Sequence, residues 1–214
     1  MTTQPSFVQF ALDRNVLQFG EFKLKSGRIS PYFFNAGLFN TGADMARLGG
    51  YYAQSLMTSS IEIDMLFGPA YKGIPIATAT AIACAREYGV NLPVAFNRKE
   101  EKDHGEGGTL MGAPIKGRVA IIDDVITAGT AIRDAITRIH RAGGKVALVM
   151  VALDRQEQGP HGKSAVQEVE HEFGIKVLSV TTLDDLIEHV SRSGAHDPGQ
   201  QAQLTAYRRA YGVK

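Results

Sequence analysis

The sequence predicts an α/β fold, with a twisted, mainly parallel sheet flanked by helices and a small hairpin-containing subdomain at the N-terminus. From residue 43 onward, apolar runs of strand length alternate with longer stretches of helical periodicity, which is typical of a parallel sheet covered on both faces. Before residue 40, alternating stretches on either side of Ser26 and Gly27 indicate a β-hairpin. No internal repeat or linker interrupts the sequence, so we expect a single domain over residues 1–214.

The individual elements follow from apolar spacing and from the residues that end each pattern. A first helix is predicted over residues 7–19, because apolar residues recur three and four apart and Gly20 follows. The hairpin spans residues 22–35, and residues 1–40 are expected to form a hood over one end of the core. Further helices are predicted over residues 43–58, 74–88, 164–173, 183–190 and 200–211, and strands over residues 64–67, 93–97, 119–122, 146–153 and 176–180.

Composition excludes several classes of protein. The formal net charge of +1 and the absence of long basic runs argue against nucleic-acid or membrane partners. Cys84 is the only cysteine, which excludes an intramolecular disulfide, and its Ala- and Ile-rich surroundings predict an inert buried thiol. The longest apolar runs are shorter than the roughly 18 residues of a membrane span, and the first residues lack the features of a signal peptide. We therefore expect a soluble, cytoplasmic protein.

Residues 119–131 carry the main functional signal. An apolar strand ends in two adjacent carboxylates, Asp123 and Asp124, and a turn of small and hydroxyl residues then leads into a helix that ends before Gly143. The apolar face of this helix is predicted to consist of Ala131, Ile132, Ala135, Ile136 and Ile139. Unpaired N–H groups at a helix N-terminus attract phosphate, and paired carboxylates accept hydrogen bonds from neighbouring hydroxyls. The pattern indicates a sugar-phosphate site, although an Asp-Asp pair alone is more often a simple strand end.

Other polar residues follow the predicted strands. Ligands of open parallel sheets bind beyond the carboxyl ends of the strands, so the residues at these ends should converge. They are Tyr71, Lys72, Arg98, Lys99, Asp123, Asp124 and the turn that follows them, and Arg155. The basic members of this set suit a ligand with several anionic groups.

Two further segments have open interpretations. Phe33 and Phe34 face opposite ways in an extended strand, so one should pack in the core, while the other could line a planar ligand beside the basic hairpin tip, residues 25–28. Residues 98–111 are unusually charged and glycine-rich, which indicates a solvated loop or a mobile lid. In a lid, Lys102 and His104 would bring positive charge to a developing anion.

These segments resemble the type I phosphoribosyltransferase family, whose signature for 5-phosphoribosyl 1-diphosphate (PRPP) is similar to residues 119–131. Within that family, nearly the whole chain is most similar to the bacterial orotate phosphoribosyltransferases, through residues 25–35, 68–73, 98–106, 119–131 and 153–155. The resemblance implies the type I phosphoribosyltransferase fold. It also implies Mg²⁺-dependent transfer of the 5-phosphoribosyl group from PRPP to N1 of orotate, giving orotidine 5′-phosphate and pyrophosphate in pyrimidine (UMP) biosynthesis.

The resemblance also implies roles for individual residues. The PRPP loop would consist of Asp123 and Asp124 at the ribose hydroxyls, followed by Val125, Ile126, Thr127, Ala128, Gly129, Thr130 and Ala131, of which the last five hold the 5-phosphate. Further PRPP contacts, mainly to pyrophosphate, are assigned to Lys25, Tyr71, Lys72, Arg98, Lys99, Lys102 and His104. Orotate would contact Phe33, Phe34, Thr127 and Arg155. The catalytic residues would be Lys102, His104, Asp123 and Asp124.

The resemblance implies two further partners. Mg²⁺ would be held mainly by PRPP and water, with no direct protein ligand. A homodimer is implied in which Lys99, Lys102 and His104 act on the neighbouring subunit's site.

Two other functions compete with this one. A phosphoribosyltransferase for a purine or uracil would need no cation for a base carboxylate, so Arg155 and the hairpin with Phe33 and Phe34 argue against it. A PRPP-sensing regulator could dispense with the cations of the lid and would often carry a nucleic-acid surface. Lys102, His104 and the small net charge argue against a regulator.

Overall fold

The computed structural model describes residues 6–24, 26–102, 108–127, 129–193 and 198–213. Three predicted site residues, Lys25, His104 and Ala128, lie outside the described residues. In the described part of the chain, no helix is both long enough and apolar enough to cross a membrane.

The described residues form a two-stranded hairpin and a six-stranded sheet with helices around it. The helices are α1 (Phe7–Asp13), α2 (Gly42–Thr58), α3 (Gly73–Tyr88), α4 (Thr130–Arg141), α5 (Ala165–Phe173), α6 (Leu183–Ser193) and α7 (Pro198–Tyr211), with a short 3-10 helix at Ala36–Leu38. The strands are β1 (Leu17–Lys23), β2 (Ile29–Phe34), β3 (Met65–Gly68), β4 (Val94–Lys102), β5 (Gly108–Gly112), β6 (Arg118–Ile122), β7 (Lys145–Asp154) and β8 (Lys176–Thr182).

The large sheet is mainly parallel, as the sequence predicts. Its strand order is β5-β4-β3-β6-β7-β8, with β5 antiparallel to β4 at one edge and every other pair parallel. Strand β6 lies in the interior between β3 and β7. The carboxyl ends of these three strands therefore meet at one edge of the sheet, where a ligand site is expected.

Each face of the sheet has its own apolar core. Ala120 and Ile122 of β6 contribute to the core that includes residues of α1, α2, α3, α6 and α7, while Val119 and Ile121 contribute to the core covered by α4 and α5. Successive side chains of a strand point to opposite faces, so a fully apolar run such as β6 is what a doubly covered strand requires. Cys84 is buried, which raises the pKa of its thiol to about 11 and agrees with an inert cysteine.

The first predicted helix is too long. Helix α1 ends at Asp13, Asn15 adopts a left-handed backbone with φ 55°, and β1 begins at Leu17. Val16 and Leu17 are buried and fit a helical or an extended pattern equally well, and pairing of Leu17 with Phe34 selects the strand. Tertiary pairing thus overrides the local periodicity.

The segment of residues 98–111 is also not a simple loop. Strand β4 continues to Lys102, and β5 returns antiparallel, with Asn97 opposite Leu110 and Lys102 opposite Gly108. These residues are mostly charged or glycine, so the segment lacks the apolar alternation by which a strand is predicted from sequence. The edge hairpin was therefore not predicted. Charged residues are a common feature of edge strands, because they prevent pairing with other chains.

Two predictions about side-chain packing have different outcomes. The predicted apolar face of α4 is confirmed for four of its five residues, since Ile132, Ala135, Ile136 and Ile139 are buried. The prediction is wrong for Ala131, which is exposed in the first turn. Phe34 packs against the core beside Phe7, with ring centroids 6.5 Å apart, whereas Phe33 stays 40% exposed on the hairpin. The opposite orientation of these two rings is confirmed.

Candidate active site

The two carboxylates lie at the end of the central strand on a backbone that remains part of the sheet. The Asp123 N–H donates to the Met150 carbonyl at 3.0 Å, and the Ala152 N–H donates to the Asp124 carbonyl at 2.8 Å. One residue further, Val125 forms a parallel bridge with Leu153. Because β7 holds the chain for three residues beyond β6, both acidic side chains start from fixed positions.

Asp123 and Asp124 are unusually buried for acidic residues, with exposed fractions of 8% and 7%. The Asp123 carboxylate accepts a hydrogen bond from the Asp124 N–H at 2.9 Å, and the buried Tyr52 hydroxyl donates to the Asp123 carbonyl at 2.7 Å. Burial, followed by repulsion from Asp124, raises the pKa of Asp123 to about 7. The surroundings of Asp123 therefore favour its protonated form more than water does.

Lys72 neutralises the second carboxylate. Its Nζ lies 2.6 Å from Oδ2 of Asp124, although 52 residues separate the two in the sequence. The turn before α3 makes this approach possible because it packs directly on the end of β6. A Cβ at Gly73 would lie 2.6 Å from the Ile122 carbonyl oxygen, and one at Gly68 would lie 2.4 Å from the Gly73 carbonyl oxygen.

The residues after β3 and within β4 lie side by side. Lys99 Nζ is 4.9 Å from the ring centroid of Tyr71, which is 62% exposed, and the Ala70 N–H donates to Oδ1 of Asn97 at 3.1 Å. Arg98 contacts Sδ of Met111 on the returning strand β5. The expected convergence is thus confirmed for Tyr71, Lys72, Lys99 and Asp124.

The turn after the carboxylates ends at the N-terminus of α4. Gly129, with φ 72°, occupies the N-cap position, and no side chain caps the helix. A left-handed backbone favours glycine, which explains this residue at the start of the helix. Thr127 and Thr130 are exposed on either side. Because glycine has no side chain, the N-cap residue itself offers no acceptor to the first-turn N–H groups of α4.

Arg155 follows β7 at the same edge of the sheet. Its Nε and Nη2 lie 2.7 and 2.6 Å from Oε1 of Glu157, its Nη2 also lies 3.1 Å from Oγ of Ser30, and its guanidinium lies 4.2 Å from the Tyr32 ring centroid. One edge of the guanidinium is thus already occupied, which the sequence did not reveal.

The hairpin reaches this arginine through Ser30 and Tyr32 of β2. Arg28, at the tip of the same hairpin, donates to the Gln158 carbonyl at 2.8 Å and lies 5.0 Å from the Tyr211 ring centroid. Arg28 belongs to the basic hairpin tip of residues 25–28, and these two contacts connect that tip to Gln158 and to the C-terminal helix. Glu157 and Tyr207 carry no motif or spacing signal, and only tertiary packing shows that they lie beside Arg155.

Comparison with known proteins identifies the family. A model of the phosphoribosyl transferase domain matches residues 38–183. The orotate phosphoribosyltransferase of Thioalkalivibrio sulfidiphilus is 60% identical over 99% of each chain. The chain belongs to the orotate phosphoribosyltransferase family. This confirms the resemblance drawn from residues 25–35, 98–106 and 119–131.

Solved structures agree with the assignment to the orotate phosphoribosyltransferases. The crystal structure of orotate phosphoribosyltransferase from Francisella tularensis is 44% identical, covers 97% of this chain and 99% of its own, and has a TM-score of 0.87. UMP synthase from Leishmania donovani is 28% identical, with a TM-score of 0.74 over 95% of this chain and 42% of that larger protein. The predicted type I phosphoribosyltransferase fold is therefore confirmed.

Proposed function

We propose that this chain transfers the 5-phosphoribosyl group from PRPP to N1 of orotate, giving orotidine 5′-phosphate and pyrophosphate in pyrimidine (UMP) biosynthesis. One observation supports this most directly: in a member of the orotate phosphoribosyltransferase family, a buried carboxylate pair ends the central strand and leads into an uncapped helix. The assignment of residues 1–40 as a hood and 98–111 as a lid on a single domain is part of the same proposal. The cytoplasmic location stays a prediction.

The PRPP loop would bind two parts of PRPP, the ribose hydroxyls and the 5-phosphate, with different groups. Asp123 and Asp124 accept hydrogen bonds from the ribose hydroxyls, and the 5-phosphate binds N–H groups and hydroxyls of the segment that follows Val125 and Ile126. That segment consists of Thr127, Ala128, Gly129, Thr130 and Ala131. Lys72 is paired with Asp124. When PRPP binds, its ribose hydroxyls would replace Lys72 at the Asp124 carboxylate, and Lys72 would pair with a pyrophosphate oxygen instead.

Departure of pyrophosphate needs positive charge more than a nucleophile. Breaking the C1–O bond of PRPP produces an oxocarbenium-like ribosyl group, by analogy with glycoside hydrolysis, and leaves the bonding electrons on pyrophosphate. Preorganised cations stabilise such charge in the transition state. The candidate residues around pyrophosphate are Lys25, Tyr71, Lys72, Arg98, Lys99, Lys102 and His104.

The residues present fit a Mg²⁺ ion that is bound mainly through PRPP. In the described part of the chain, no group of three or more His, Cys, Asp or Glu residues gathers to hold a metal. Mg²⁺ often keeps several waters and binds substrate phosphates, so the ion would be held by PRPP and water, while Asp123 and Asp124 bind the ribose hydroxyls. When bound, the ion would neutralise negative charge on the pyrophosphate oxygens.

Arg155 is the observation that favours orotate over other bases. Orotate carries a carboxylate that uracil and purines lack, and hydrogen bonds between a guanidinium and a carboxylate are among the stronger ones in proteins. Phe33, Phe34 and Thr127 would surround the flat ring beside it.

The base preference can be measured directly by absorbance. With PRPP and Mg²⁺ present, we expect orotate to be consumed with formation of orotidine 5′-phosphate, and uracil and hypoxanthine to remain. Faster turnover of uracil or hypoxanthine would assign the protein to another base and remove the proposed role of Arg155.

Replacing Lys102 with Ala should slow turnover by at least about tenfold, which corresponds to about 1.4 kcal/mol of transition-state stabilisation. The Michaelis constant for PRPP should change less, because the lysine acts on charge that develops as pyrophosphate leaves. Lys145→Ala, at the opposite end of the sheet, is the matched control and should keep wild-type kinetics. Unchanged turnover in Lys102→Ala would remove this residue from the mechanism.

A homodimer with shared sites predicts complementation between two impaired variants, assayed at orotate concentrations below the raised Michaelis constant of Arg155→Ala. In a heterodimer of Lys102→Ala and Arg155→Ala subunits, one site would receive an intact Arg155 from its own subunit and an intact Lys102 from the other. We expect recovery of up to about half of the wild-type activity from this arrangement. Confirmed heterodimers without recovered activity would show that Lys102 acts within its own subunit.

A further inference from the structure

Glu157 occupies a position that the proposed reaction does not explain. Its Oε1 accepts hydrogen bonds from Nε of Arg155 and from the Tyr207 hydroxyl, at 2.7 and 2.8 Å, and its Oε2 lies 3.9 Å from Nη1 of Arg28. The side chains of Glu157 and Arg155 are only 17% and 14% exposed. A carboxylate this close to the guanidinium offsets part of its attraction for an anionic ligand, so Glu157 must contribute to the site in another way.

The benefit is a fixed orientation of Arg155. Hydrogen bonds to Glu157 and Ser30 hold the Nε and Nη2 side of the guanidinium, and the Tyr32 ring supports its face at 4.2 Å. Binding then costs less side-chain entropy, because a long side chain has already been immobilised. Tyr207 also lies close enough to Arg155 to interact with its charge.

The C-terminal helix holds Glu157 in turn. The Tyr207 hydroxyl of α7 donates to its carboxylate, and Tyr207 packs edge-on against Tyr32 with ring centroids 6.2 Å apart. The backbone is held as well, since Glu157 bridges Gly212 and the Gln158 N–H donates to the Tyr211 carbonyl at 2.7 Å. Helix α7 therefore contacts both the carboxylate and the aromatic ring that flank Arg155.

We propose that Glu157 and Tyr207 are positioning residues that hold Arg155 for the carboxylate of orotate. This inference rests on the proposed function and deepens it, because it assigns part of the base specificity to the C-terminal helix. The loss of either side chain should weaken recognition of the orotate carboxylate and leave the PRPP loop unaffected.

Tyr207→Phe is the sharpest test, because it removes one hydroxyl and keeps the ring against Tyr32. A single hydrogen bond in such a network corresponds to about a threefold to tenfold effect, so the Michaelis constant for orotate should rise by that factor. Turnover number and the Michaelis constant for PRPP should each stay within about twofold. Tyr211→Phe on the same helix is the matched control and should keep wild-type values.

A double-mutant cycle separates positioning from a general structural effect. In an Arg155→Ala background, Tyr207→Phe should produce no further rise in the Michaelis constant for orotate, because the residue it positions is absent. Equal effects in both backgrounds, or equal effects on orotate and PRPP, would overturn the proposal. Glu157→Gln provides a second variant, and an unchanged Michaelis constant for orotate in both single variants would also overturn it.

The wild-type protein distinguishes failure of this inference from failure of the proposed function. Orotate turnover by the wild type, with no selective effect in Tyr207→Phe or Glu157→Gln, would reject the positioning role alone. Absence of orotate turnover in the wild type would reject the proposed function, and the positioning role would fall with it.

Discussion

Replacing Asp123 with Asn is expected to lower turnover by about 10- to 100-fold and to make the folded protein more stable at pH 8. Activity should fall because a neutral amide is a weaker acceptor for the ribose hydroxyls than a carboxylate, and hydrogen bonds to charged groups contribute about 1.5–3 kcal/mol. Stability should rise because ionisation of a buried carboxyl opposes folding. Asn keeps the shape of Asp123 and an oxygen that can accept from the Asp124 N–H.

The gain in stability should depend on pH in a defined direction. Burial raises the pKa of Asp123 from 3.8 to about 7, so between these values the folded protein keeps a proton that the unfolded chain has released. The free energy of unfolding therefore falls as pH rises from about 4 to about 7, and it stays lowered above that range. Asp123→Asn should remove this loss, which is on the order of a few kcal/mol at pH 8.

Thermal unfolding of both proteins at pH 5 and pH 8 would measure the effect. A stabilisation of this size corresponds to a rise of several degrees in a protein of this length, and the rise should be much smaller at pH 5. Asp134→Asn, an exposed position on α4, is the matched control and should change the unfolding temperature little. A pH-independent difference, or a lower unfolding temperature for Asp123→Asn at pH 8, would contradict the raised pKa.

Replacing Arg155 with Ala should raise the Michaelis constant for orotate by about 10- to 100-fold, because a charge-assisted hydrogen bond to the carboxylate is lost. The Michaelis constant for PRPP should rise by less than about threefold, since Arg155 lies beyond β7, outside the PRPP loop. Steady-state kinetics with each substrate varied in turn would measure both values. A larger effect on PRPP than on orotate would place the base elsewhere.

A stability control accompanies the Arg155 variant, because removal of the guanidinium leaves Glu157 without its principal cation. An unpaired, partly buried carboxylate destabilises a fold by itself. The double variant Arg155→Ala/Glu157→Gln removes that charge and should show the same selective loss of orotate binding. Recovery of the wild-type Michaelis constant in the double variant would attribute the effect to misfolding of this region.

Local sequence features were sufficient to predict the central junction. The apolar run of β6, the two acidic residues and the periodicity of α4 all lie within a short stretch, and each has a physical reason to appear there. The order of alternating elements then placed Tyr71, Lys72 and Lys99 at the same edge of the sheet. These predictions depend on local patterns, which a single sequence displays.

The features that were missed depend on distant pairings or on burial. No pattern indicates that Lys72 reaches Asp124, or that Tyr207 reaches Glu157, because each partner is chosen by the packing of the whole chain. Strand β5 was not predicted because it lies at the edge of the sheet, where a strand can form without an apolar pattern. The raised pKa of Asp123 is likewise a property of its surroundings, which only the folded structure supplies.

The two glycines of the turn before α3 have a mechanical consequence. Gly73 rests directly on the carbonyl of Ile122, with no side chain between the two backbones to absorb a displacement. The turn that supplies Lys72 and the end of β6 that bears Asp123 and Asp124 should therefore move as one rigid piece. Opening and closing around a substrate would then have to come from other parts of the molecule, such as the hairpin of β4 and β5.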